Sequence, residues 1–200
     1  MRVNGMWPAW EETDMLDFDP SRTWKVVQEK LNRTTNPRHR AMLQELLDHA
    51  RGEVEGDLER VMGTLSANPA YRGVRSGPKQ PVGTDEIRDF YVNEVFGGGR
   101  FCIEGNKDRI VVDDDTIITE GTMRVMLWGR DLERQGAPVD DRDAVYLMTV
   151  RLLIVWPFDR DGKIIGEESW NQQPESLVKV PHEDVPANFK AYIHGKLEAA

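Results

Sequence analysis

Residues 113–128, DDDTIITEGTMRVMLW, carry Glu120 among Ile117, Ile118, Met123 and Val125. A carboxylate in the middle of such a strand faces either water or a pocket. In an apolar pocket, desolvation raises its pKa and suits it to take or give protons near neutral pH. Glu168, in GEES, is a second acid of this kind on a later strand. His49 lies three residues after Leu46 and seven after Met42, at the border of an apolar helical stripe, where it could pair with a carboxylate. Tyr71, Tyr91, Trp128 and Trp170 combine a large ring with one polar atom, as residues lining small-molecule pockets do. Each has a structural alternative. Glu120 and Glu168 can face solvent, His49 can border the core, the tyrosines can be core, and the tryptophans can anchor a dimer.

Other chemistries find little support. DDD at 113–115 lacks the spaced ligands and later Glu of a calcium loop and reads as a hairpin turn. DRDG at 159–162 is likewise a turn. GGG at 97–99 follows a helix, whereas a phosphate cradle precedes one. No His/Cys/acid spacing specifies zinc, and no GxSxG motif is present. Neither a metal nor a cofactor is expected. Cys102 is the only cysteine, so no intrachain disulfide can form and a reducing compartment is implied. The net charge of −9 disfavours nucleic acid and anionic membranes. No apolar run approaches the roughly 20 residues of a membrane span, and the start lacks a signal-peptide apolar region, so the reading is cytoplasmic.

The elements that must position the candidates follow from periodicity. Residues 1–19 read as an irregular arm with Met6, Trp7, Trp10, Met15 and Phe18 as anchors. A short helix over about 20–32 follows Asp19-Pro20. A second helix starts near Asn36-Pro37 and runs to about Gly52, with Met42, Leu43, Leu46, Leu47 and Ala50 at helical spacing. A third covers roughly 57–66. A turn then leads into a short strand containing Tyr71. TDEIRDFYVNEVF is a helix capped by Thr84 and ended by three glycines. Strands are expected at 101–112, 116–128, 144–158 and 163–171 as antiparallel sheet. In the third of these, Tyr146, Met148, Val150, Leu152, Ile154 and Trp156 share one face. The tail ends in a short helix from about Pro186. Helices followed by long strands argue α+β.

The phrases EGDLERVMGTLSANPAYRG, GTDEIRDFYVNEVF, VVDDDTIITEG and FDRDGKIIGEESWNQ, in that order over about 37–173, resemble the nuclear transport factor 2-like superfamily, more narrowly its SnoaL-like members. The resemblance implies a cone-shaped, curved antiparallel β-sheet wrapped around the N-terminal helices, an α+β barrel enclosing a pocket, often in a homodimer. The corresponding division is an arm and short helix over 1–35, the SnoaL-like domain over 36–173, and a C-terminal extension with a short helix over 174–200. Family activities include polyketide cyclases, ketosteroid isomerases, dehydratases, epoxide hydrolases and binding modules. The isomerase set is absent: AYRGV has no carboxylate and Ile154 stands near the position of the oxyanion acid. The epoxide-hydrolase Asp–Arg–Asp pattern is not reproduced by Glu120, Arg124 and Glu168. The YxD-type ending of the cyclases is replaced by SWNQ.

The resulting expectation is an enzyme that needs no cofactor and performs dehydration, isomerisation or cyclisation on a hydrophobic small molecule. Glu120 and His49 act as acid and base, with Glu168 as the alternative acid. Tyr71, Tyr91, Trp128 and Trp170 shape the pocket. The alternative is a binding or assembly module with the same fold and no catalysis. The expected partners are a hydrophobic ligand and a second copy of the chain, with no nucleic acid and no membrane.

Overall fold

A computed structural model describes residues 7–8, 10–12, 17–75 and 77–199. Met6, Met15 and the side chain of Trp10 lie outside the described residues. After the short strand β1 (Trp10–Glu12) come helices α1 (Arg22–Arg33), α2 (Pro37–Glu55) and α3 (Leu58–Gly63). Strand β2 (Leu65–Arg72) precedes α4 (Thr84–Phe90), which continues as a π-helical turn over Tyr91–Phe96. The long strands β3 (Ile103–Val112), β4 (Thr116–Trp128) and β5 (Val145–Pro157) follow, with α5 (Gly129–Arg134) between the last two. Strands β6 (Ile164–Asn171) and β7 (Ser176–Val180) and helix α6 (Ala187–Glu198) complete the chain.

Helix α2 shows why these boundaries fall where they do. Asn36 caps it, its side chain accepting from the amides of Arg38 and His39, and Pro37 supplies the preset first turn. Gly56, at φ 72°, closes it in the left-handed conformation that glycine tolerates best. Between these stops Met42, Leu43, Leu46 and Leu47 are buried against the sheet.

The four long strands fall close to their expected positions, and the architecture is an α+β cone whose sheet does not close. Strand β5 organises it. One edge pairs antiparallel with β4 along its whole length, and β4 pairs with β3. The other edge pairs with β7 at residues 145–149 and with β6 at 152–155. The sheet is mixed rather than purely antiparallel, because β2 runs parallel to β6 and β1 parallel to β7. These parallel pairs join segments far apart in sequence, which local patterning does not encode. The tail adds β7 as well as a helix, and the polar loop after β4 contains α5.

The inner face of β4 and β5 carries Ile117, Ile154 and Trp156 against Val27, Leu43, Leu46, Ile87 and Tyr91. At the other end of the sheet, the outer face buries Met126, Val145 and Leu147 under Val185 and Phe189 of the tail. Among the described residues no helix is long and apolar enough to cross a membrane.

Candidate functional site

Between the inner sheet face and α2 lies a cavity of about 500 Å³. Its wall is mostly apolar, with Leu46, Phe90, Val125, Val150, Ile154 and Trp156, and a few polar groups enter it. Residues four apart share a helix face, so α2 delivers His49 and Glu53 together. Behind Glu53, outside the cavity wall and fully buried, strand β2 places Tyr71 and the π-helical turn places Tyr91. Such a local widening of a helix often sits at functional sites. Strand β6 contributes Glu167 and Ser169.

Strand β3 contributes Lys107. The β3–β4 register slips between Lys107 and Arg109, so Lys107 pairs with Gly121 on the inner face while Arg109 pairs with Glu120 on the outer. Gly121 is required there, because a Cβ would lie 2.0 Å from the Asn106 carbonyl oxygen.

His49 is fully buried, and its tautomer follows from its partners. The Thr64 hydroxyl donates to the Val61 carbonyl at 2.6 Å, so its oxygen is free to accept from His49 Nδ1 at 2.8 Å. Nδ1 therefore carries the proton and Nε2 the lone pair. The Tyr91 hydroxyl lies 3.0 Å from Nε2, 3.0 Å from Glu53 Oε1 and 3.1 Å from the Tyr71 hydroxyl. It has one proton and can give it to only one acceptor. With Glu53 protonated, the chain Glu53, Tyr91, His49, Thr64, Val61 is satisfied at every link.

The electrostatics agree with this arrangement. Burial pushes the His49 imidazole down to about 3, so it stays neutral. Burial, and then the charge of Glu167, pushes Glu53 up to about 8 against the opposing effects of Tyr91 and Lys107. Burial raises Glu167 to about 7, opposed by the Ser169 hydroxyl at 2.7 Å. The Glu53 side chain is 19% exposed, but that exposure is to the cavity rather than to bulk water. Burial also lowers Lys107 to about 8, with Glu53 pulling the other way. The phenols of Tyr71 and Tyr91 are raised well above their usual range, first by burial.

Ligand atoms of His49, Glu53 and Glu167 lie within 4.8 Å of one another, close enough to reach one cation. Doing so would require Tyr91 to leave Nε2 and both carboxyls to lose their protons.

Of the residues proposed from sequence, His49, Tyr71 and Tyr91 come together at this site. Glu120 does not join them. It lies on the outer face, where Arg109 holds its carboxylate at 2.9 Å and Arg151 makes a second ion pair. Strand alternation puts Glu120 on one face with Ile118 and Met126, and that face is the outer one. Glu168 also points outward, to Arg72 at 3.3 Å. Here the alternation itself breaks. Phe158 opposes Ile164, whereas Val155 opposes Glu168, so β6 gains one residue between these pairs. Such a bulge moves the face of Ile164 onto Glu167. Trp128 is buried away from the cavity under the Arg130 guanidinium, and Trp170 is 54% exposed opposite Leu153.

The sequence reading missed Glu53, Glu167 and Lys107. Glu53 was readable as the residue one turn after His49. Lys107 was readable by alternation from Ile103, whereas Glu167 depends on a bulge that alternation does not reveal.

No protein-family model matches the chain, and no curated protein matches it by sequence. Solved structures do resemble it. A protein from Shewanella putrefaciens CN-32 designated a SnoaL-like polyketide cyclase superposes with a TM-score of 0.54 at 11% identity, covering 80% of this chain and 91% of that one. RV0760c from Mycobacterium tuberculosis gives 0.53 at 11% identity over 74% of this chain and 100% of that one. An NTF2-like protein of unknown function from Burkholderia pseudomallei K96243 gives 0.50 at 17% identity over 66% and 92%. At these identities the likeness speaks for the fold alone. With its helices inside an open curved sheet, the chain has the nuclear transport factor 2-like fold, the fold of these SnoaL-like proteins.

Proposed function

We propose that the cavity binds a hydrophobic small molecule and catalyses proton transfer on it without a cofactor, in a dehydration, isomerisation or cyclisation. Glu53 and Glu167 act as the acid/base pair in place of Glu120 and Glu168. His49 and Tyr91 position Glu53, and Tyr71 supports Tyr91 from behind the cavity wall. The observation that carries this reading is two carboxyls in one apolar cavity with affinities near neutral pH, the range in which proton donors and acceptors work best. The designated activity of the Shewanella structure is consistent with it.

A homodimer belongs to the same proposal, supported by the exposed Val111 and Trp170 on the outer face. So do the division at 35/36 and 173/174 and a cytoplasmic location. A non-catalytic binding role is favoured by one observation: the Glu53 to Val61 chain is already satisfied internally.

The test is deuterium exchange at carbon beside the carbonyl of a panel of hydrophobic ketones in D₂O, followed by NMR. Loss of one positioned acid/base group lowers such rates by about 10²–10⁴. The expected result is a loss of this size in Glu53→Gln and Glu167→Gln. A double variant that exchanges as fast as the parent would sink the assignment and leave the binding role.

A further inference from the structure

We propose that Lys107 is an imine-forming lysine, whose amine condenses with the carbonyl carbon of an aldehyde or ketone held in the cavity. The proposal stands first on placement. Lys107 is on the inner sheet face in phase with Ile103 and Gly105, half-buried, and lines the cavity. Its Nζ donates to the Thr23 carbonyl at 2.6 Å. That bond fixes the nitrogen without consuming its lone pair once the amine is neutral. Among the described residues no carboxylate lies within ion-pair distance of it. Lys25, Lys163 and Lys179 instead pair with Asp19, Glu45 and Asp140. A lysine inside an apolar cavity and facing acid groups is the environment in which amines act as nucleophiles.

The chemistry balances with the groups present. The amine lone pair forms the C–N bond, and the carbonyl π pair moves to oxygen, which takes a proton from the Glu53 carboxyl. The nitrogen returns one proton to that carboxylate. Glu53 then protonates the new hydroxyl, which leaves as water as the nitrogen lone pair forms C=N. Amine, carbonyl and the Glu53 proton become a protonated imine, one water and the Glu53 carboxylate. The iminium acidifies the adjacent C–H, which Glu53 or Glu167 can remove.

This last step deepens the proton-transfer reading and rests on it. It narrows the substrate class to aldehydes and ketones. Imine formation itself is a separate event.

The experiment treats the intact protein with cinnamaldehyde and sodium cyanoborohydride at pH 7, then maps the reduced adduct by peptide mass spectrometry. At pH 7 an amine at about 8 is about one-tenth neutral, and an ordinary lysine about one part in 2,500. The expected outcome is labelling at Lys107 faster than at the exposed Lys79 and Lys196 by on the order of a hundredfold. Lys107→Arg keeps the charge and should lose the adduct, and Lys107→Met should do the same if Arg does not fold. Labelling confined to exposed lysines in the parent overturns the proposal. So does an unchanged adduct yield in either variant. A Glu167→Gln protein that still labels Lys107 but keeps full carbon exchange removes the acid/base reading and leaves this one standing.

Discussion

Replacing Glu53 with glutamine removes a group whose ionisation opposes folding, and the effect has a definite sign. Glu53 and Glu167 hold protons more tightly folded, at about 8 and about 7, than an ordinary carboxyl near 4.5. Protons therefore favour the folded state. The stability these groups contribute is full below about pH 4.5 and falls as pH rises through 7 and 8. At about 1.4 kcal/mol for each tenfold change in proton affinity, the loss between pH 6.5 and 8.0 is about 2 kcal/mol from Glu53 and about 1 kcal/mol from Glu167.

That window is chosen to isolate the pair. Neutral His49 acts mainly as pH falls from 6.5 towards 3 and lowered Lys107 mainly as pH rises from 8 to 10.5, and inside the window each adds a smaller change of opposite sign. In urea unfolding followed by tryptophan fluorescence, the parent should lose about 2–3 kcal/mol more across this window than the double Gln variant, and Glu53→Gln about 1 kcal/mol more. Equal pH dependence in all three would refute the placement of these carboxyls in a water-poor cavity.

Tyr91→Phe leaves His49 Nε2, Glu53 and Tyr71 short of one partner. It should destabilise by about 2–3 kcal/mol, seen calorimetrically as a melting temperature lower by about 4–12 °C. Gly121→Ala drives a Cβ into the Asn106 carbonyl and should cost about 3 kcal/mol in a urea titration. Glu120→Gln should change stability by less than about 1 kcal/mol and leave ketone exchange rates at the parental level. A large loss of exchange in that variant would return Glu120 to the site.

The elements were legible where one local pattern governed them. The stripe from Met42 to Ala50 with an Asn-Pro start defined α2, and strict alternation in β5 defined its inner face. Phase was harder. Strand β4 had correct parity but no local sign of which face turned inward, since Ile118 and Met126 on the outer face are as apolar as Ile117. Thr84 was expected to cap α4, yet Gly83 takes that position and the Thr84 hydroxyl donates to the Ala67 carbonyl instead. Lys107 kept the phase of Ile103 but read as an ordinary charged residue, and Glu167 was hidden by a bulge, which arises from how a strand meets its neighbour and leaves little trace within the strand. The parallel pairing of β2 with β6 is likewise a property of the assembled sheet.

The bulge in β6 gives the adjacent acids Glu167 and Glu168 a shared consequence. Without the bulge, simple alternation from Ile164 would turn Glu168 inward as Glu167 turned out. The pocket would still hold a carboxyl, although Arg72 would face a different oxygen pair. Two neighbouring glutamates thus make this wall tolerant of a one-residue slip: whichever phase the strand takes, an acid faces the ligand.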